Sequence, residues 1–246
     1  MHPLIQIHVT AGSIALIAGA AALVARKGGR PHGHAGTWFF AAMLTMASTG
    51  SIIAFARPER GTATIGILTC YLVATSWMSA RRRDGRAGTF EVAGFAVALA
   101  CAAAMLTIGL LGLREADGRL DLLPAAVHFP FAALAALAAA LDLNFILRRA
   151  LTGVQRTSRH LWRMSAAFLI AASSFFQGQQ DTMPEFIRGS ALLSVPPLVI
   201  LAAMLFWIFR VRFSKAYHWV APRRTRQDAA GSGEIGPDAP PRPRTT

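Results

Sequence analysis

Apolar residues run in long blocks along this chain, and short polar, glycine- and proline-rich segments separate them. Seven blocks stand out, at about 4–25, 36–56, 61–80, 90–113, 123–147, 160–177 and 190–211. A bilayer core about 30 Å thick takes roughly 20 apolar residues of helix at 1.5 Å rise per residue, so each block is about one crossing long. The blocks lack the alternation of a half-buried strand and are rich in Ala, Leu and Gly, so helices rather than strands are expected. The pattern predicts an all-α, integral membrane bundle of seven transmembrane helices over 1–213. The breaks fall at turn chemistry, such as Lys27-Gly28-Gly29-Arg30-Pro31 and Arg57-Pro58-Glu59-Arg60-Gly61. After Phe213 the composition changes, and 231–246 has almost nothing to bury, so 214–246 is expected to be a disordered basic tail.

Composition agrees with this class. Of 246 residues 54% are hydrophobic and 15% charged, against about 25% charged in soluble domains. Met1-His2-Pro3-Leu4 lacks a basic leader and no small-residue cleavage site follows, so the first block is expected to stay in the protein. The net charge of +13 is distributed by side. Threading seven crossings puts five basic residues, Arg57, Arg60, Arg114, Arg119 and Arg188, on one side, and leaves the other twenty of 25 opposite. Short basic loops stay cytoplasmic. The expected location is therefore a bacterial inner membrane, with a periplasmic N-terminus and a cytoplasmic C-terminus facing anionic headgroups. No nucleic-acid reading module accompanies the charge, so nucleic acid is not an expected partner.

Familiar catalytic signatures are absent. The sequence has no Walker motif, nucleophile elbow, zinc-binding HExxH helix or dinucleotide fingerprint, and Gly109-Leu110-Leu111-Gly112 reads as a helix end. Catalytic residues, and whether the protein is an enzyme at all, stay open. Cys70 and Cys101 fall mid-span without CxxC spacing and read as small buried hydrophobes. Trp38, Trp77, Trp162, Trp207 and Trp219 lie near span ends, as an aromatic belt requires.

The chemistry-bearing groups are histidines near helix ends. The threading puts His8 and His128 about one turn below the outer surface. His32, His34 and His160 fall at the inner edge, with His32 and His34 just before the second helix. That makes one pair per leaflet, roughly 25 Å apart along the normal. Two neutral imidazoles from facing helices are what bis-histidine haem ligation needs. Membrane cytochromes of the b type share this general plan, without a sequence match. His8, His32, His128 and His160 are thus candidate ligands of haem iron, and electron transfer across the membrane is the function expected from them. The competing reading is local hydrogen bonding at an interface, to which His2 and His218 are assigned.

Gly12, Ala15 and Gly19 share the His8 face, and Ala132, Ala135 and Ala139 the His128 face. Such stripes serve close helix packing, and they also leave a slot for a flat cofactor. Asp142 lies about 21 Å further in than His128 on nearly the same face, beside Asn144. An ion pair with Arg148, Arg149 or Arg163 is one expectation for it; a proton-handling role in a proton-coupled small-solute transporter is the other. Only Pro196-Pro197 strongly breaks a span, whereas transporters tend to break spans in both halves. Gln177, Gln179, Gln180 and Asp181 form a polar cluster suited to loop packing or to a quinone or small acid. A non-catalytic scaffold using the basic tail is a third possibility.

Three stretches resemble an uncharacterised bacterial multi-pass membrane protein family, known as domain of unknown function 2306. They are His8-Val9-Thr10-Ala11-Gly12 leading to Lys27-Gly28-Gly29 and His32; Tyr71-Leu72-Val73-Ala74-Thr75-Ser76-Trp77; and Arg159-His160-Leu161-Trp162-Arg163-Met164 with Ser173-Ser174-Phe175-Phe176-Gln177-Gly178-Gln179-Gln180. The resemblance spans roughly 5–213. Relatives carry His-Arg where this chain has His32-Gly33-His34, so the family's histidine maps to His32. The resemblance implies an integral bacterial membrane protein and supplies no activity.

Overall fold

The computed structural model describes residues 2–82 and 86–213. The tail at 214–246, with His218 and Trp219, lies outside the described residues, as does the side chain of His2. The described residues form seven α-helices: α1 His2–Val24, α2 Arg30–Phe55, α3 Arg60–Arg81, α4 Thr89–Gly112, α5 Ala125–Arg148, α6 Gly153–Phe176 and α7 Val195–Phe213. Three short 3-10 turns lie between α6 and α7, and no strand appears among the described residues.

Six helices are long and apolar enough to cross a membrane. Helix α6 is the exception: its 24 residues include Arg156, Arg159 and Arg163. The outward faces of the others carry exposed apolar side chains such as Ile17, Val24, Phe55, Leu137, Leu147, Phe206 and Phe209. That surface suits hydrocarbon, where apolar groups face solvent at no cost.

Cross-helix contacts show successive helices running antiparallel. His32 Nδ1 at the start of α2 meets the Ala22 carbonyl near the end of α1 at 3.0 Å. Ser51 Oγ of α2 donates to the Ala63 carbonyl of α3 at 3.1 Å. Gly112 of α4 lies against Ala125 of α5. Helix α3 is central, packed by α2, α4 and α6, while α6 also lies against α1 and α7. Helix α5 packs along α4, and long arginine side chains of α6 reach it.

Two helices start earlier than the apolar pattern predicts. Helix α2 begins at Arg30 with Pro31 in its first turn, where a missing N–H costs nothing. His32 and His34 therefore lie inside α2, not before it. Helix α6 begins at Gly153, seven residues before the expected 160, because Thr152 and Gln155 form a reciprocal cap. That places Arg156 and Arg159 within the helix.

The turn between α1 and α2 needs Gly28, whose φ of +79° is strained for other residues. Lys27 Nζ donates to the Ala22 and Leu23 carbonyls at 2.8 and 2.6 Å, closing α1, and partial burial lowers its pKa from the ordinary lysine value. At the start of α4, Glu91 accepts from the Gly88 N–H at 2.8 Å and from Arg82 at 3.2 Å.

The small-residue stripes serve packing. Ala15 and Ala135 are fully buried, and Gly19 lets α1 approach Phe168 of α6, where a Cβ would come within 2.7 Å of the ring. Phe168 in turn meets Phe39 edge to face at 5.6 Å. Cys101 is buried, and Cys70 lies 3.4 Å from Ser48 Oγ.

Candidate functional site

The four candidate histidines occupy the two ends of the bundle. His8 and His128 lie near the starts of α1 and α5; His32 and His160 lie near the starts of α2 and α6, at the opposite end.

Hydrogen bonds decide the tautomer of three of them. His8 Nδ1 lies 2.9 Å from the Met46 carbonyl of α2, and His32 Nδ1 lies 3.0 Å from the Ala22 carbonyl. A carbonyl only accepts, so each Nδ1 carries the proton. For His160 the argument runs through Ser76 of α3. The Ser76 hydroxyl donates its single proton to the His160 carbonyl at 2.8 Å, so its oxygen accepts from His160 Nδ1 at 3.0 Å. Where the ring is neutral, Nε2 carries the lone pair, and among the described residues no hydrogen bond engages it. A metal-binding imidazole is commonly oriented this way, with the second nitrogen tied to backbone or hydroxyl.

His128 differs. It is fully buried, and among the described residues neither ring nitrogen has a hydrogen-bond partner. Buried polar groups left unsatisfied are rare and call for an explanation. The ring lies against Gly61 of α3, so closely that a Cβ there would collide with Nε2, and a Cβ at Gly109 of α4 would come within 3.4 Å of His128 Cβ. His8 repeats the arrangement on α2, where a Cβ at Gly50 would lie 2.9 Å from Cε1. Gly61 is held in place by Asp121 of the α4–α5 loop, whose Oδ2 accepts the Gly61 N–H at 2.7 Å. That carboxylate serves one of the unpaired donors at the start of α3.

His32 and His160 lie near the starts of α2 and α6, at the same end of the bundle. The recorded partners of His8 lie on α2, whereas His128 packs against α3 and α4, and no hydrogen bond joins the two rings. His34 is exposed. Among the described residues, no three His, Cys, Asp or Glu side chains gather to hold a metal ion, while haem asks for two imidazoles.

Asp142 is fully buried in the middle of a second polar cluster. Its Oδ1 accepts from Arg163 at 2.5 Å and from Arg159 at 2.6 Å, and its Oδ2 accepts from the Tyr71 hydroxyl. Arg163 also donates to Thr75 Oγ1 at 2.5 Å. The expected pairing with Arg163 is present. Arg148 and Arg149 instead lie exposed at the end of α5, and Asn144 is exposed as well. Arg159, Tyr71 and Thr75 were not among the sequence candidates. Their signal was weak: a Tyr and a Thr four residues apart on one face of an apolar helix, and an arginine that the apolar pattern left outside α6.

Gln177, Gln180 and Asp181 help hold the α6–α7 connection. Gln177 Nε2 donates to Ser194 Oγ at 3.2 Å, Gln180 Oε1 accepts from the Gly189 N–H at 2.9 Å, and Arg188 donates to the Asp181 carbonyl at 2.9 Å. Among the tryptophans, Trp77 stacks on Phe40 at 4.2 Å and Trp207 receives Lys27 at 5.4 Å.

Compared with known protein families, curated proteins and solved structures, the chain finds no match in any of the three.

Proposed function

We propose that this chain is a seven-span inner-membrane protein that binds b-type haem through its histidines and carries electrons across the bilayer. The observation that carries the reading is the state of the imidazoles. Three are fixed as Nδ1–H tautomers with a free Nε2 lone pair, and the fourth is buried with both nitrogens unbonded. The Nε2 atoms of His8, His32 and His160 are of the type that fits haem iron, whereas His128 Nε2 packs against Gly61 with no room for a methyl group, so α3 would have to move aside for iron to reach it. Haem, if bound, would supply a one-electron couple. The chain would offer imidazole nitrogens to the iron, burial that tunes the potential, and the Met46, Ala22 and Ser76 bonds that orient the rings.

His32 with His160, near the starts of α2 and α6, is the proposed pair at one end. His8 with His128 is the proposed pair at the other end. Helix α6 is read as the seventh crossing, its arginines made tolerable by Asp142 and by burial against α3. The arginine-rich end is read as cytoplasmic, where it meets anionic lipid. A quinone or a protein redox partner would exchange electrons with the haem.

An absorption spectrum of the purified full chain tests this reading. The expected result is a Soret band that shifts on adding dithionite. His128→Ala should remove one haem's share of the signal, and His160→Ala the other's. A featureless spectrum after expression with ample haem rejects the function. A reporter fused after Thr246 should be active in the cytoplasm.

A further inference from the structure

The Asp142 cluster carries more positive than negative charge. Arg159 and Arg163 each reach the one carboxylate of Asp142, which leaves a surplus of +1. Asp142 and Arg163 are fully buried, and Arg159 is 8% exposed. Among the described residues no other carboxylate pairs with either guanidinium; Glu91 is engaged by Arg82.

Hydrogen bonding shows the same deficit. Nε of Arg159 and Nε of Arg163 are both buried without an acceptor among the described residues. The rings of Phe145, Tyr71 and Trp162 lie 5.0, 5.1 and 5.1 Å from the guanidinium carbons. They soften the cost of burying cations but accept no N–H bond in the guanidinium plane. A buried unpaired charge is strongly unfavourable. The cluster therefore lacks one anion and an acceptor for two donors.

We propose that Arg159 and Arg163 bind the carboxylate of a ligand, which brings the cluster to neutrality. A single carboxylate matches the single surplus charge, whereas dianionic phosphate would leave the bundle interior negative. The planar arginine fork also suits a planar carboxylate. Two sources share this chemistry. One is a propionate of haem held by His160, the neighbour of Arg159 in sequence, and this source rests on the haem reading. The other is a free small carboxylate, and this source does not.

The full chain in lipid nanodiscs is titrated with four probes: acetate, inorganic phosphate, haem b and haem b dimethyl ester. The readouts are the thermal midpoint, the Soret band, and the fluorescence lost on Trp162→Phe, since Trp162 adjoins Arg163. Acetate that saturably raises the midpoint and alters the Trp162 signal supports a free carboxylate. Haem b binding more tightly than its ester supports a propionate. In either case Arg159→Gln should weaken carboxylate binding by about tenfold or more, as loss of a charge-assisted bond does. Without ligand, Arg159→Gln should fold and melt no lower than the parent, because Asp142 and Arg163 then form a neutral pair.

Haem b and its ester binding equally, with no effect of acetate, would overturn the carboxylate site and leave the haem reading intact. A response to acetate without any Soret band would do the reverse. Phosphate binding more tightly than acetate, or Arg159→Gln failing to fold, would overturn the proposal.

Discussion

Gly61 of α3 packs against the Nε2 edge of the His128 imidazole on α5, with no space between them for a methyl group. The two residues come from helices whose starts sit at the same end of the bundle, and Asp121 fixes the register by bonding the Gly61 N–H. Gly61→Ala should therefore displace the His128 ring or separate the helices. The expected cost is about 1–3 kcal/mol, as for overpacking elsewhere, together with loss of one haem's absorbance. Gly36→Ala is the control: its Cβ would meet nothing within 4 Å, so the thermal midpoint should hold or rise slightly.

Removing the Asp142 charge leaves two buried guanidiniums without their anion. Asp142→Asn is expected to destabilise the protein by about 3–5 kcal/mol, read from unfolding in mild detergent. Replacing Asp142, Arg159 and Arg163 together with leucine removes all three charges. That variant should be closer to the parent in stability than Asp142→Asn is. If the single change proves harmless, the cluster is not the electrostatic centre of the helix packing.

The Ser76–His160 contact joins α3 to α6 through two bonds that share one hydroxyl. Ser76→Ala removes the hydroxyl that accepts from Nδ1, leaving the Ser76 carbonyl at 3.3 Å, and should cost about 1–2 kcal/mol. The remaining longer bond should hold the ring less firmly, visible as shifted and broadened His160 imidazole nitrogen signals in NMR. Unchanged signals would mean that the hydroxyl does not hold the ring.

Asp121→Ala should loosen the first turn of α3 by about 1 kcal/mol, the usual value of a cap. The effect should extend to His128 through Gly61. Faster hydrogen exchange at the Gly61 amide, with a weakened His128-dependent signal, is the expected pair of observations. Asp121→Asn keeps an acceptor oxygen and should recover most of the loss.

Much of the architecture was legible because lipid-facing helices must be apolar along their length, and six such helices followed from hydropathy alone. Asp142 was legible for the opposite reason: a carboxylate in an apolar block demands a cation, and Arg163 was within reach. Arg159 escaped because hydropathy put the start of α6 at 160, although Thr152 and Gln155 had the spacing of a helix cap. Pro31 likewise marked the true start of α2 and moved His32 into its first turn. Other features depend on contacts between distant parts of the chain. Gly61 against His128 joins positions 67 residues apart, and nothing local in either segment announces it. The Ser76–His160 exchange is equally invisible to periodicity, since an intramembrane serine usually bonds its own helix.

Helix α6 has a consequence for how the chain is made. Insertion scales put an arginine at a helix centre at about +2.5 to +3.5 kcal/mol, and α6 has three arginines in its first eleven residues. Under the proposed seven-span reading, such a segment would enter the bilayer more readily beside its partners. Asp142 has been synthesised by then, on the helix just before, and so have Tyr71 and Thr75 on α3. That reading expects the earlier helices to stay beside the insertion site until α6 arrives. A chain truncated before Asp142 and fused directly to α6 should leave that segment stranded outside the lipid.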